Sequence, residues 1–385
     1  MSAYTFSNSV RENLSSFWNT VDALGLDRRR LLKNAERNLD HTPAYRFNQF
    51  LRCAAEAEVR LEELACFDRY SGALFPEDCT VFFAAGKASR SGYTVFGKNS
   101  DKSGSNAFNS DLYYRNRQIN VVLYSINPDG SHVIGVSAAG ATGLKMGMNS
   151  HGVAVGTNYG ETDLAARRTL DLDQQMAGDR AQLARDALTE RTALQAAQKV
   201  VAILMERPMA SSGILEFADA KDVYIVENAY EYTAIKRVTD AVDARANFFN
   251  LMSQLNTEGN VSSFCRYHRA KELLEKESGN VTVETLRKIA ADHGNGPGGN
   301  SICRHSTGMS SATLSSAIME IDGEHPDKSK IHIALGTPCR AWSEADGHVI
   351  IPMDVPECGI PEAFRSGEAF RRFCLLPPLE TAAES

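Results

Sequence analysis

A cysteine opens one apolar run, Cys79-Thr80-Val81-Phe82-Phe83, and an aspartate closes the next, Val95-Phe96-Gly97-Lys98-Asn99-Ser100-Asp101. Two strands joined by a turn would set that thiol and that carboxylate on neighbouring strands, where a nucleophile and its supporting group can meet. A thiol attacks only as thiolate, and free cysteine has a pKa of about 8.5, so the site would need a base or an electropositive surrounding. The plainer reading of Cys79 is a small buried core residue, and that of Asp101 is a turn cap beside Ser100 and Ser103.

The elements that must position this pair follow from the pattern along the chain. Of 385 residues, 43% are hydrophobic and 23% charged, enough apolar material for one large domain or two smaller ones. A net charge of -7, from 41 basic against 48 acidic residues, opposes broad attraction to phosphate backbones or anionic lipid, so neither nucleic acid nor a membrane is an expected partner. The first residues lack a basic stretch followed by an apolar one, which makes a cytoplasmic protein the expectation. The eight cysteines include no CxxC pair, and the histidines make no HExxH or paired Cys/His pattern, with Cys303 near His305 included. No metal and no bound cofactor are expected, and the cysteines read as reduced core residues.

Residues 8 to 70 read as helices, with apolar positions such as Leu51, Ala54, Ala55, Val59 and Leu61 near helical spacing. Short strands are predicted at 79–86, 93–99, 118–125, 132–138, 144–149 and 152–158, a helix at 178–206, and strands at 212–218, 223–227 and 232–238. Helices at 263–277 and 282–292 precede the glycine-rich loop 294–299 and two last strands at 311–322 and 330–336. Blocks of strands between blocks of helices indicate stacked layers in place of a βαβ repeat.

A series of motifs in order then carries a family resemblance: DCTVFF, VFGKNSD, KMGMNSHGVAVGTNYG, MASSGILEF, FFNLMSQLN, CRYHRAKELLE, SICRH and SATLSSAIMEI. The chain resembles the isopenicillin-N acyltransferase family of self-processing N-terminal nucleophile (Ntn) hydrolases, and more distantly the secernin and dipeptidase relatives of that superfamily. The resemblance implies an α+β fold, a four-layer αββα sandwich. It also implies a helical pro-segment at 1–78 and a catalytic domain at 79–385, separated by self-cleavage between Asp78 and Cys79. The freed α-amino group of Cys79, with an ordinary pKa of about 7.7 to 8.0, would then serve as the base.

The resemblance further implies catalytic roles for Cys79, for Asp101, which would orient the amino terminus, and for Asn250 as an oxyanion donor, with Asn247 as the competing alignment. Asn158, Tyr159 and Ser212 fall in the substrate-binding region, and Asn149 reads as a turn residue. The implied function is a cysteine amidohydrolase or acyltransferase that hydrolyses, or transfers the acyl group of, a small-molecule or short-peptide amide. The cleaved N-terminal chain is expected to stay bound as an αβ heterodimer. A CoA thioester as co-substrate is inherited from the family name alone.

Two departures stand out. Asp78 replaces the usual glycine before the nucleophile, and its Cβ restricts the strained backbone that favours rearrangement of the amide. The family's arginine ahead of the last motif is missing at Met309-Ser310, and Arg304 belongs to a separate shared motif. The alternative reading is an uncleaved, non-catalytic binding or scaffold protein on the same fold.

Overall fold

A computed structural model of the chain describes residues 5–74, 77–102, 118–164, 178–207, 209, 212–305, 312–374 and 376–378. Four helices come first: α1 (Phe6–Ala23), α2 (Arg28–Leu39), α3 (Ala44–Ala57) and α4 (Leu61–Leu74). Side chains satisfy the first free amides at two starts, Thr5 accepting from Asn8 and Asp27 from Arg29 and Arg30. Val10, Leu14, Phe17 and Val21 recur along one stripe of α1 and pack with Phe50, Leu64 and Phe67.

After these helices come strands β1 (Cys79–Ala84), β2 (Val95–Lys102), β3 (Asn120–Ile126), β4 (His132–Ala138), β5 (Met146–Asn149) and β6 (Ala154–Tyr159). Helices α5 (Arg180–Ala187) and α6 (Ala193–Glu206) lead to β7 (Gly213–Ala218), β8 (Asp222–Ala229), β9 (Tyr232–Thr239) and β10 (Val242–Arg245). Helices α7 (Val261–Lys276) and α8 (Val283–Ala290) then precede β11 (Ala312–Glu320), β12 (Lys330–Leu335), the one-turn α9 (Pro338–Ala341) and β13 (His348–Pro352).

The strands form two antiparallel sheets, ordered β10-β1-β2-β11-β12-β13 and β3-β4-β5-β6-β7-β8-β9. Alternation along each strand sorts side chains into layers. Val81, Phe83 and Phe96 face Ile134, Val136, Met146 and Ile214 between the sheets. Phe82, Ala84 and Val95 point outward beneath Ala270 and Leu274 of α7 and Leu286 and Ile289 of α8. On the far side, Val155, Leu215 and Phe217 lie beneath Leu183 and Ala184 of α5 and Ala197 and Val200 of α6. The order helix, sheet, sheet, helix is the αββα sandwich expected. The sheets approach closely at Gly156 of β6, where a Cβ would stand 3.0 Å from both the Phe96 ring and a Val81 methyl.

Several boundaries differ from those predicted. The helix expected over 178–206 is two helices, because Asp179 makes a capping box with Gln182 and Thr192 starts a second helix by accepting from Gln195. Strands β10 and β13 were not anticipated.

The N-terminal helices are joined to the layers by buried polar contacts as well as by packing on Val121, Ala138 and Ala139. The Asn13 side chain donates to Ile119 O and Ala139 O and accepts from Ile119 N. Asp68 of α4 accepts from the backbone N–H groups of Thr142 and Gly143 and pairs with Arg46, which also pairs with Asp186 of α5. Among the described residues, no helix is long and apolar enough to cross a membrane.

Candidate active site

The register of β1 and β2 sets Cys79 opposite Ser100. One residue further, the Asp101 N–H donates to the Asp78 carbonyl oxygen at 2.8 Å. On the other side of the same peptide bond, the Cys79 N–H donates to Asn247 Oδ1 at 2.9 Å. The Asp78–Cys79 amide is therefore held at its oxygen and at its nitrogen by groups from different elements.

Cys79 shares the inner face of β1 with Val81 and Phe83, and Lys98 shares the inner face of β2 with Phe96. This alternation brings Lys98 Nζ within 3.2 Å of Cys79 Sγ. Burial pushes the thiol above its ordinary pKa; the Lys98 ammonium opposes that rise, and the Glu77 and Asp101 carboxylates add to it.

Asp101 lies on the opposite face of β2. Its Oδ1 accepts from Thr313 Oγ1 at 2.6 Å, and its Oδ2 lies 3.6 Å from an Arg304 nitrogen and 3.9 Å from one of Arg266. Burial pushes the carboxyl up while the two guanidiniums and the Thr313 hydroxyl pull it down, for a net rise. Arg304 also pairs with Asp78 at 2.7 Å, so it spans the carboxylate before the nucleophile and the one at the end of β2.

Arg266, from the buried face of α7, donates to Cys79 O at 2.6 Å, to Thr80 Oγ1 at 2.8 Å and to Asn247 Oδ1 at 2.8 Å. With Oδ1 accepting both this guanidinium and the Cys79 N–H, the Asn247 carboxamide has a defined orientation. Its Nδ2 faces Tyr159 O at 2.9 Å and Glu77 O at 3.3 Å.

Glu77 anchors the approach to the peptide bond. Its burial would raise its pKa, but Lys145, at 2.5 Å, and Lys102, at 3.9 Å, outweigh that and hold it at about 2. Burial lowers Lys102 to about 7, with Glu77 opposing the drop.

The asparagine side chain that meets the Cys79 amide is Asn247, the competing alignment to Asn250. The backbone N–H groups of Asn250, Leu251 and Met252 all donate to the Glu227 carboxylate of β8, so that carboxylate ties down the turn carrying Asn250, while Asn247, three residues earlier, points its side chain at β1.

The other expected residues surround the site without touching the thiol. Asn158 lies on the same face of β6 as Gly156 and donates to Ala246 O at 3.0 Å. Tyr159 supplies its carbonyl to Asn247, and its ring lies 5.3 Å from the Arg180 guanidinium. The Ser212 hydroxyl donates to Gly160 O, a backbone tie between neighbouring strands. Asn149 binds Leu188 O and Glu190 O through Nδ2 and accepts from Val153 N, the structural part expected of it. The substitution at Met309-Ser310 lies outside the described residues.

Sequence reasoning missed the cationic half of the site. Lys98 carried a signal, since a lysine in a strand as apolar as Val95-Phe96-Gly97 is seldom buried without a partner. Arg266 and Arg304 lay inside the quoted CRYHRAKELLE and SICRH motifs, yet only the fold brings α7 and the run before β11 to one carboxylate.

As it stands the site is closed: Cys79 is 1% exposed and Arg266 is fully buried. A small cavity of about 30 Å³ beside it is lined by Glu77, Lys145, Thr157 and Arg180. A larger hollow of about 310 Å³, lined by Tyr45, Arg46, Gln182 and Asp186, lies instead between the N-terminal helices and α5 and α6. The arrangement provides a thiol beside an ammonium, a peptide carbonyl held by a backbone N–H, and a carboxylate flanked by two guanidiniums. The first two are parts that acyl transfer to sulfur can use.

A sequence model described as acyl-coenzyme A:6-aminopenicillanic acid acyl-transferase matches residues 88–338. Among solved structures, the chain is similar to the Caenorhabditis elegans orthologue of N-acylethanolamine-hydrolyzing acid amidase, at 13% identity and a TM-score of 0.42 over 64% of this chain and 92% of that one. It is also similar to penicillin V acylase from Agrobacterium tumefaciens, at 14% identity and a TM-score of 0.40 over 67% and 83%. A third similarity is to a variant of the conjugated bile acid hydrolase from Clostridium perfringens, at 12% identity and a TM-score of 0.41 over 71% and 92%.

Proposed function

Given that the chain belongs to the acyl-coenzyme A:6-aminopenicillanic acid acyl-transferase family, enzymes of the Ntn type that transfer acyl groups or hydrolyse amides, we propose that it is a precursor whose Cys79 cuts its own chain and then attacks a small linear amide. The observation that carries this reading is the Asp78–Cys79 peptide itself, held by the Asp101 N–H and by Asn247, with Lys98 at the sulfur.

In the first reaction Sγ gives up its proton and attacks the Asp78 carbonyl carbon. The Asp101 N–H stabilises the oxyanion on Asp78 O, the C–N bond breaks, and the departing nitrogen takes up the proton that the sulfur gave, leaving as the free α-amine of Cys79. Water hydrolyses the Asp78 thioester, releasing a new carboxylate and the thiol. In the second reaction the α-amine is the base, oriented by Asp101 and Asn247. The Asn247 Nδ2, released from Glu77 O when the N-terminal chain shifts, donates to the new oxyanion.

Residues 1–78 remain attached through Asn13, the Arg46–Asp186 pair and the Asp68 contacts to Thr142 and Gly143 as the small chain of a heterodimer. Asn158 and Tyr159 border the opened pocket, and Ser212 shapes it through the backbone. Hydrolysis is the preferred outcome; a CoA thioester is an alternative partner in acyl exchange, distinguished by assaying acylated amines with and without added CoA thioesters.

The deciding measurement is the denatured mass of freshly purified protein beside Cys79→Ala. Two chains that together exceed the 42.1 kDa precursor by one water, with Cys79 at the new amino terminus and a single intact chain in the variant, are the expected result. One intact chain in both would transfer the assignment to an uncleaved binding protein on this fold.

A further inference from the structure

Away from the thiol, four side chains from three segments converge: His293 in the turn after α8, Cys303 and His305 in the run before β11, and Cys339 in α9. His293 Nε2 lies 3.0 Å from His305 Nε2, with Cys339 Sγ at 3.4 Å and Cys303 Sγ at 3.7 Å from that same nitrogen. All four ligand atoms lie within 4.8 Å of one another, and all of these residues but His293 are buried.

His305 Nδ1 lies 2.9 Å from Leu376 O, a carbonyl that can only accept, so the ring proton sits on Nδ1 and Nε2 presents one lone pair. The two thiols and the His293 ring thus gather around one nitrogen lone pair.

We propose that these four residues form a closed tetrahedral site for a zinc-class divalent cation. Bonds of about 2.3 Å to sulfur and about 2.0–2.1 Å to nitrogen give tetrahedral edges of roughly 3.3–3.8 Å; the three spacings to His305 Nε2 lie within a few tenths of an ångström of these, and the remaining ones, none above 4.8 Å, close by a shift of at most about 1 Å on binding. Binding releases two thiol protons, and the two thiolates cancel the ion's charge, which suits a buried position. The soft sulfur and imidazole donors exclude magnesium and calcium. The Leu376 carbonyl is the outer partner that orients a ligating imidazole.

With four protein donors no position is left for a substrate, so the ion is structural. Its effect on the reaction is positional: Arg304, between the ligands Cys303 and His305, is the residue that spans Asp78 and Asp101. The expectation of no metal arose because the ligands lie 12 and 2 residues before His305 and 34 after it, a spacing that no short motif describes.

The test uses the full chain without a histidine tag, purified without chelator from zinc-supplemented medium. One zinc per chain should survive gel filtration, and Cys303→Ser/Cys339→Ser should lose at least nine-tenths of it. Because that variant could misfold, the wild-type protein is also stripped and titrated with Co²⁺. Thiolate-to-cobalt charge transfer and strong visible bands of tetrahedral type should saturate at one equivalent, and in His293→Ala, at the exposed edge of the cluster, the bands should weaken. Metal-free protein giving only the weak spectrum of hydrated Co²⁺ would overturn the proposal. So would a non-reduced mass short of two hydrogens, with a peptide linking Cys303 to Cys339.

Discussion

Replacing Lys98 with methionine removes the ammonium 3.2 Å from the Cys79 sulfur while keeping a side chain of similar length. At an effective interior dielectric of ~20, opposite unit charges at that separation attract by about 5 kcal/mol. That corresponds to between three and four pK units of support for the thiolate at about 1.4 kcal/mol per unit. Burial already pushes the thiol up and Lys98 opposes it, so the variant's thiol rises further. Below the thiol pKa the thiolate fraction, and with it the cutting rate, falls tenfold for each unit of rise. Allowing for repacking around methionine, Lys98→Met should slow cleavage at pH 7 at least 100-fold, and raising the pH should recover the rate. The assay is cell-free synthesis of the precursor followed by a quenched time course from pH 6 to 10, with Lys98→Arg as the charge-retaining control. Cleavage of Lys98→Met at the wild-type rate, with an unshifted pH profile, would refute the view that this cation activates the sulfur.

Asn247→Ala should reduce turnover of the amide substrate by about 100-fold or more, the scale of losing one oxyanion donor, whereas Asn250→Ala stays within a few-fold in the same assay. Glu77 is depressed from its ordinary 4.5 to about 2, so it contributes about 3 kcal/mol above pH 4.5, lost progressively as the pH falls towards 2. In the uncut Cys79→Ala background, Glu77→Gln should lower urea stability by that order at pH 7 and flatten its acid dependence; equal stability of the two proteins at pH 7 would contradict this. Gly156→Ala places a methyl 3.0 Å from Phe96 and Val81 and should cost about 1–3 kcal/mol in the same urea titration.

Stacked layers were legible because alternating blocks of strands and helices are a local pattern, while the αββα order and the proposed role of Cys79 came with the family resemblance. Cys79 and Lys98 could be placed on strands from the apolar residues around them, and Gly156 stood in a run that alternates valines with small residues. What depends on tertiary register was hidden. Asn247 and Asn250 differ by three residues in one loop, and the choice between them is made by Glu227 on a distant strand. Arg266 reads as one charge among several in an amphipathic helix, yet it is fully buried against the strand holding Cys79. Strand β10 is four residues long and half polar, so its pairing with β1, not its composition, makes it a strand. The break between α5 and α6 was written in Asp179 and Thr192, whose capping roles become visible once the helix is read as two.

Under the proposed cleavage, the polar contacts that join α1 to α4 to the sandwich change character. Asn13 and Arg46 then hold two molecules together where they formerly held two parts of one, and the loop that kept those parts near each other is gone. Folding of the precursor is a first-order event independent of concentration, but reassembly of the cut protein is second-order and competes with aggregation of the separated chains. The proposed maturation would therefore exchange a reversible fold for one that persists by slow unfolding. Heated and cooled, the precursor should return where the mature enzyme does not, and dilution should lower the apparent melting temperature of the cut form alone.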